Sequence, residues 1–466
     1  MNLAQGRNRA GVGPTRQLTR FACSLVYADL DAQTRHSARR HILDTLGACV
    51  AGSRQPVTEM AEAVIAETVP AGAIPVPGRR RRADALSAAY LAGASIHGLE
   101  LDDGYRAGSV HPGAIVLPAA LVTGYGLGAG GEALMTAVAV GYEVAARIAE
   151  ASHPHTRWRG FHGTSTVGVF AAAAAVGSLR GLGEEAMENA FGLAASSAAG
   201  LFAFLHGGGD VKRLHPGHAA REGMLAALLA ERGMEGPPGV LECGDGYFHA
   251  FAGGDVGKRD YSALELFAGW QAFAITECYI KPYACCRHIH PALDGMLDIL
   301  RARNLKPGMV KEIEVGTYRM AAAHAETGWR DMASAQLSFP FVMATGLHKR
   351  AVTLEHFSEA CRNDPKVTAD CAKIRVSVDG GLEAEYPRLR PAKVTVVTTD
   401  GQVYHRRVDE AYGSPGNPMD DEALGAKYLE LVGGVLGPKR AEETLAMLWR
   451  LDRVASVTAL GDALSG

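Results

Sequence analysis

The segment Lys393–Val408, KVTVVTTDGQVYHRRV, carries the pattern on which the fold assignment depends. Two β-type runs flank Asp400-Gly401, a dipeptide that favours the tight turn of a β-hairpin. Earlier runs of the same kind are Val310–Tyr318 and Lys373–Val378, and the helical patterns Ala335–Gly346 and Leu354–Ala360 lie between them. Together these patterns predict a domain of the α+β class.

Both flanks of this domain have helical periodicity. Apolar residues recur at three- and four-residue spacing from about Thr15 to about Ala268, and again from Asp421 to the end. The clearest predicted helices are Arg35–Ala51, Ala83–His97, Gly131–Ala149, Thr164–Leu179, Glu184–Leu205 and His218–Arg232. The predicted fold is therefore mainly α with an α+β domain, in which both chain ends form one large all-helical domain. The predicted segments are a flexible N-terminal extension (1–16), the first part of the helical domain (17–270), the α+β domain (271–410) and the C-terminal part of the helical domain (411–466).

Composition excludes several classes of function. The 466 residues are 47% hydrophobic and 21% charged, with 47 basic and 50 acidic side chains, so no charge surplus favours nucleic-acid binding. Ala-rich apolar stretches are interrupted too early for a membrane span. Eight cysteines without a CxxC pair indicate the reducing cytoplasm, and the vicinal Cys285 and Cys286 are interpreted as packed small residues.

Candidate catalytic side chains collect where segments join. The chain has no P-loop, GxSxG, HExxH or strand-linked GxGxxG motif. Histidines and cations instead occupy turns before helices: His111 after Asp102-Asp103, His162, Lys212, and Arg287 with His288 and His290. Taken singly, each histidine is more often a cap, Asp102-Asp103 more often a helix cap, and Lys212 more often a solvated charge. His288 and His290 lack a third ligand at a usual spacing, so no metal site is predicted.

The ordered motifs resemble the MmgE/PrpD family. They are Ile42–Gly52, Leu101–Asp103 with His111-Pro-Gly113, Phe161-His-Gly163, Lys212–Gly217 with Ala219-Ala220 and Gly223, Lys281–Tyr283 with Cys286–His290, and Gly413–Pro418. The resemblance implies a large helical domain with a smaller α+β lid (about 270 to 410), a homodimer, and an active site between the domains that uses no cofactor. This sequence departs from the decarboxylase pattern at Gly104, where a hydroxyl residue is expected, and in the spacing to His111.

The site residues are predicted from the resemblance together with the chemistry of the side chains in these motifs. The predicted catalytic residues are Asp102, Asp103, His111, His162, Lys212 and His290, and the predicted substrate-binding residues are Glu100, Arg287, His288, Tyr318 and Arg213. His111 and His162 are expected to act as general base and general acid, in an order that the sequence leaves open. Lys212, Arg287 and the amides at helix starts are expected to hold substrate carboxylates.

The predicted activity is proton abstraction next to a carboxylate of a small di- or tricarboxylate. A dehydratase or hydratase of the 2-methylcitrate type ranks first, and an epimerase of an iminodisuccinate-like diacid ranks second. Decarboxylation of the cis-aconitate type ranks below these, because of the departures at Gly104 and in the spacing to His111. A non-catalytic diacid-binding protein is the alternative from another class.

Overall fold

The computed structural model describes residues 13–206, 209–253 and 272–466. It divides the chain into two compact units, Met1–Tyr279 with Asp420–Gly466, and Ile280–Met419. The first, the helical unit, contains in its N-terminal part α1 (Pro14–Ser24), α2 (Ala32–Gly52), α3 (Pro56–Thr68), α4 (Ala85–His97), α5 (Pro112–Leu127), α6 (Gly131–Ser152), α7 (His155–Trp158), α8 (Gly163–Arg180), α9 (Glu184–Ala195) and α10 (Val211–Glu231). Two short strands, β1 (Gly104–Tyr105) and β2 (Cys278–Tyr279), pair in antiparallel orientation.

The second unit, the α+β unit, surrounds a four-stranded sheet. Its helices are α11 (His290–Ala302), α12 (Arg319–Ala322), α13 (Met332–Leu337), α14 (Phe339–Lys349), α15 (Glu359–Arg362), α16 (Pro365–Asp370) and α17 (Gly380–Glu383). The strands β3 (Val310–Thr317), β4 (Ile374–Val378), β5 (Ala392–Thr398) and β6 (Val403–Val408) lie in the order β4-β3-β5-β6. β3 and β4 are parallel and the other neighbours are antiparallel. Helix α11 packs on β5 and β6.

The chain returns to the helical unit at its C-terminal end with α18 (Asp421–Leu436), α19 (Pro438–Trp449) and α20 (Thr458–Leu464). Helix α18 packs on α2, which joins the two ends of the sequence in one core. The prediction of a mainly α fold with a small α+β part is confirmed. No helix in the described ranges combines the length and apolar character that crossing a membrane requires.

Several predicted element boundaries are wrong, each for a local reason. The helix predicted over Glu184–Leu205 ends at Ala195, and Gly200 then adopts a φ of 116°, a left-handed conformation that suits glycine. The helix predicted from His218 begins at Val211, because α10 accommodates Pro216 at the loss of a single backbone hydrogen bond. The segment Ala335–Gly346 divides at Ser338, whose extended backbone precedes Pro340 in the first turn of α14.

Helices α4 and α10 cross with their backbones in contact. A Cβ atom on Gly93 would lie 2.7 Å from Gly217 Cα, and one on Gly217 would lie 2.3 Å from the carbonyl oxygen of Tyr90. Both distances are far shorter than van der Waals contact, so only glycine fits at this crossing. The crossing lies near the C-terminal end of α4 and the N-terminal end of α10. It therefore brings His97 of α4 close to the first turns of α10, which contain Lys212 and His215.

Candidate active site

Most of the predicted site residues of the helical unit lie on the loop that joins α4 to α5. This loop carries Glu100, Asp102, Asp103 and His111, and Glu100 has a φ of 55°, in the left-handed region that is uncommon for a residue with a side chain. Backbone strain of this kind persists only where surrounding contacts hold it. The loop is therefore fixed by its neighbours.

Asp103 anchors the loop to three helices. Its Oδ2 accepts hydrogen bonds from His41 Nδ1 at 2.8 Å and from Tyr142 Oη at 2.6 Å, and its Oδ1 accepts one from the backbone N–H of Gly113 at 2.9 Å. The Gly113 amide lies in the first turn of α5, where it has no partner within the helix. A Cβ atom on Gly113 would lie 2.8 Å from Asp103 Oδ1, which explains the glycine of the His-Pro-Gly motif. The fully buried Asp103 carboxylate thus ties the start of α5 to α2 and α6.

Asp102 lies between two histidines. Its Oδ2 is 2.7 Å from His97 Nδ1 and 3.3 Å from His111 Nδ1. His97, the last residue of α4, is fully buried. Burial lowers the pKa of His97 to about 3, outweighing the opposing attraction of Asp102, while Lys212 and His111 lower it further. His97 is therefore a neutral imidazole that donates its Nδ1–H to Asp102, and its Nε2 has no hydrogen-bond partner among the described residues.

His111 has a defined tautomer when it is neutral. Its Nδ1 lies 2.6 Å from the carbonyl oxygen of Asp103, and because a carbonyl only accepts, Nδ1 carries the proton. The lone pair of the neutral ring is consequently on Nε2. His111 is also the partly exposed member of the group, since His97 and His162 are buried. It is thus the histidine best placed to exchange protons with a ligand and with solvent.

The imidazole rings form a row. The ring centroids are separated by 5.1 Å from His111 to His97, 5.9 Å from His97 to His162, and 5.1 Å from His162 to His215. Burial is the largest cause that lowers the pKa of His162 well below its ordinary value and that of His215 to about 4. Mutual repulsion between the rings acts in the same direction. The row therefore consists of neutral rings at His97, His162 and His215, with His111 at its partly exposed end.

Lys212, in the first turn of α10, forms an ion pair with Glu100. Both side chains are largely buried, so the pair is shielded from solvent more than a surface salt bridge. Neighbouring Arg213 is also buried and contacts Asp210 at 3.5 Å. A substrate carboxylate that binds Lys212 would share this cation with Glu100.

Lys427, from the C-terminal part of the chain, also contacts this loop. Lys427 of α18 donates to Asp44 Oδ1 at 2.6 Å and to the carbonyl oxygen of Leu101 at 3.2 Å. Burial is the largest cause that raises the pKa of Asp44, and Lys427 opposes it. Because Leu101 directly precedes Asp102, this ion pair helps to fix the loop.

The donor atoms of His97, Asp102 and His111 lie within 4.8 Å of one another, so these three residues could in principle hold a metal ion. The Nδ1 protons of His97 and His111 are directed to the Asp102 carboxylate and the Asp103 carbonyl, so their lone pairs are on Nε2. Histidine and carboxylate groups paired in this way also suit proton transfer.

In the α+β unit, Arg287 and His290 are bound to backbone groups. The Arg287 guanidinium donates to the carbonyl oxygens of Ala411 and Tyr412 at 3.1 and 2.8 Å and to Ser414 Oγ at 2.5 Å. Its Nη1 also donates to His290 Nδ1 at 2.9 Å, and His290 Nε2 lies 3.2 Å from the carbonyl oxygen of Cys285. These bonds connect the start of α11 to the Gly413–Pro418 segment.

A second group in the α+β unit surrounds Tyr318. The hydroxyl of this buried tyrosine lies 2.5 Å from His288 Nδ1, and its ring stacks on Tyr386 with centroids 4.8 Å apart. His324 stacks on His288 at 5.9 Å, and its Nε2 is 3.6 Å from Cys286 Sγ. His288 and Tyr318, which are distant in sequence, are therefore in contact in the structure. Cys286 and His324 belong to the same group of side chains.

Sequence reasoning did not select His41, His97, Tyr142 or His215. His97 comes five residues before Asp102 and ends a predicted helix, a position that offers a usable signal. His215 lies inside the Lys212–Gly217 motif, in which the lysine gives the stronger signal for binding a carboxylate. His41 and Tyr142 contact Asp103 only through the packing of α2 and α6, which a single sequence does not reveal.

Comparison with known proteins identifies the family of this chain. Residues 16–259 match the model of the MmgE/PrpD N-terminal domain, and residues 283–453 match that of the MmgE/PrpD C-terminal domain. The chain belongs to the MmgE/PrpD family, and it is a lyase-type enzyme.

Individual relatives match over nearly the full length. Cis-aconitate decarboxylase of Aspergillus terreus is 29% identical over 98% of this chain and 97% of its own. The cis-aconitate decarboxylase-like protein oryM of Aspergillus oryzae is 26% identical over 97% of both chains. Human cis-aconitate decarboxylase is 26% identical over 92% of this chain and 90% of its own.

Proposed function

We propose that the protein is a lyase that acts on a small unsaturated tricarboxylate of the cis-aconitate type and releases one carboxylate as carbon dioxide. The observation that carries the proposal is the row of neutral imidazoles that ends at the partly exposed His111, beside the Asp102 carboxylate. The full-length likeness to cis-aconitate decarboxylases supports this substrate class, and it is the reason that decarboxylation is placed ahead of the dehydration that the sequence alone ranks first.

Decarboxylation needs a proton donor and a place for negative charge. The bond between a carbon and its carboxylate breaks, and the electron pair moves into the conjugated, unsaturated acid that remains. A proton then adds at the far carbon of that system. Asp102, 3.3 Å from His111 Nδ1, stabilises positive charge on this ring, so a protonated His111 can deliver the proton from Nε2. Its partial exposure allows the proton to be replaced from solvent.

Dehydration of a hydroxy tricarboxylate is the second candidate. It requires a base for the proton next to the carboxylate, and the neutral tautomer of His111 supplies a lone pair on Nε2. An acid must also protonate the departing hydroxyl, for which His162 is available in the same row. The same side chains therefore support both reactions, and the substrate decides between them.

Proton NMR in deuterated water tests the proposal directly. The panel is cis-aconitate, citrate, 2-methylcitrate, malate, tartrate and iminodisuccinate. We expect cis-aconitate to yield carbon dioxide and a product with new terminal-alkene signals and one deuterium in its methylene group. A new alkene from a hydroxy acid would support dehydration instead. Exchange without an alkene would indicate epimerisation, and the absence of any reaction across the panel would contradict the proposal.

We expect Lys212→Gln to raise KM for the tricarboxylate by about tenfold or more, because the substrate loses a largely buried, charge-assisted partner. Steady-state kinetics at constant ionic strength measures this. The control is Lys439→Gln, which removes the same charge from an exposed position on α19. Equal KM values for the two variants would show that Lys212 does not bind substrate.

A further inference from the structure

His162 and His215 form a histidine–histidine hydrogen bond. Their Nδ1 atoms are 2.9 Å apart, and both side chains are buried. A hydrogen bond between two nitrogens needs one N–H and one lone pair. Both rings are neutral at neutral pH, because burial holds their pKa values low. The pair therefore shares one Nδ1 proton, and the two rings are opposite tautomers.

Two arrangements are possible, and they present different groups at His162 Nε2. If His215 donates, the His162 proton lies on Nε2, which then offers an N–H. If His162 donates, Nε2 offers a lone pair. Nε2 lies on the edge of the ring that faces away from His215. Apart from His215, the groups that act electrostatically on His162 are His97, His111 and Asp102.

The neighbouring tautomers favour the first arrangement. His97 gives its Nδ1–H to Asp102, and neutral His111 gives its Nδ1–H to the Asp103 carbonyl. Each of these rings therefore carries its lone pair on Nε2. A lone pair on His162 as well would leave all three of these rings without an Nε2–H for a substrate that carries several negative charges, and the remaining Nε2–H of the row would belong to His215. A neutral imidazole N–H can instead stabilise the negative charge that builds on a carboxylate oxygen during the reaction.

We propose that His215 is a positioning residue, which donates its Nδ1–H to His162 Nδ1 and so holds His162 as the neutral tautomer with its proton on Nε2. His162 then acts as a hydrogen-bond donor to the substrate. The role of His162 as a donor rests on the proposed function, since both decarboxylation and dehydration build negative charge on a substrate carboxylate. The tautomer itself is a property of the substrate-free enzyme.

Nitrogen-15 NMR of enzyme labelled at histidine tests the tautomer, because the two-bond proton–nitrogen pattern distinguishes a proton on Nδ1 from one on Nε2. Comparison with the His162→Asn spectrum identifies the His162 signals. We expect the proton on Nε2 in the native enzyme, and a change in the tautomer ratio in His215→Phe. A proton on His162 Nδ1 in the native enzyme, or an unchanged ratio in His215→Phe, would overturn the proposal.

Steady-state kinetics provides a second test of the role of His215. We expect His215→Phe to lower kcat about tenfold or more with a smaller change in KM. The reason is that the hydrogen bond from His162 stabilises charge that develops only during the reaction, so its loss affects the transition state more than substrate binding. His215→Asn, whose amide nitrogen can replace Nδ1–H, should recover most of this loss, and it also serves if the phenylalanine variant fails to fold. His218→Gln on the same helix is the control. Equal activity of His215→Phe and His218→Gln would contradict the proposal.

The two tests separate this inference from the proposed function. The NMR measurement needs no substrate, so inactivity on the panel of acids would count against the proposed function alone. A wrong tautomer in an enzyme that decarboxylates cis-aconitate would count against the role of His215 alone.

Discussion

His111→Asn should lower turnover by at least about a hundredfold, the low end of what a positioned acid–base group contributes. Asparagine keeps a donor near the position of Nδ1, so the hydrogen bond to the Asp103 carbonyl can persist while the nitrogen that transfers the proton, Nε2, is lost. The fold should therefore survive the substitution. Initial rates at saturating substrate, compared with the native enzyme, give the ratio.

His405→Asn is the matched control for this variant. His405 is exposed on β6, and its side chain is hydrogen-bonded to the Thr395 hydroxyl at 2.9 Å, so the same substitution there should leave turnover unchanged. A His111→Asn enzyme that retains more than about a tenth of the native kcat would remove His111 from the proton transfer.

Asp103→Ala should lower the free energy of unfolding by about 5 kcal/mol, because three buried donors lose their acceptor at about 1–3 kcal/mol each. The donors belong to His41, Tyr142 and the first turn of α5, so the loss is spread over three helices. Urea unfolding followed by circular dichroism measures the change.

Asp420→Ala provides the comparison for Asp103→Ala. Asp420 caps α18 from an exposed position by accepting the Ala423 N–H at 2.7 Å, and its removal should cost about 1 kcal/mol. If both variants lost similar stability, the view of Asp103 as a buried anchor would be wrong. Asp103→Asn, which retains an acceptor for Gly113, should fall between them.

The parts of the fold with strong local patterns were predictable from the sequence. The strands β4 and β5 follow alternating apolar residues, and the hairpin from β5 to β6 follows Asp400-Gly401, where Gly401 has a φ of 86°. The predicted helix boundaries were wrong where tertiary packing overrides the local preference of the sequence, as in α10, which continues through Pro216. The parallel pairing of β3 with β4 was not predicted either, because it depends on contacts between distant residues.

The candidate site was predictable as a set of residue types but not as a set of partners. His111 and His162 stood out because each directly precedes a helix, and Lys212 because its motif marks the start of one, although the structure places it in the first turn of α10. The function of a titratable group depends on what it touches, and those contacts are made across helices. That Asp103 accepts from His41 and Tyr142, or that His162 pairs with His215, requires the packing of α2, α6 and α10.

The crossing of α4 and α10 also limits how this enzyme can change. Because Gly93 and Gly217 place the two backbones in contact, neither helix can shift without the other. A larger residue at the crossing would therefore force the helices apart and move His97 away from the first turns of α10. New substrate preferences must then arise in side chains around the crossing. Directed-evolution libraries should accordingly leave both glycines untouched and vary the neighbouring loops.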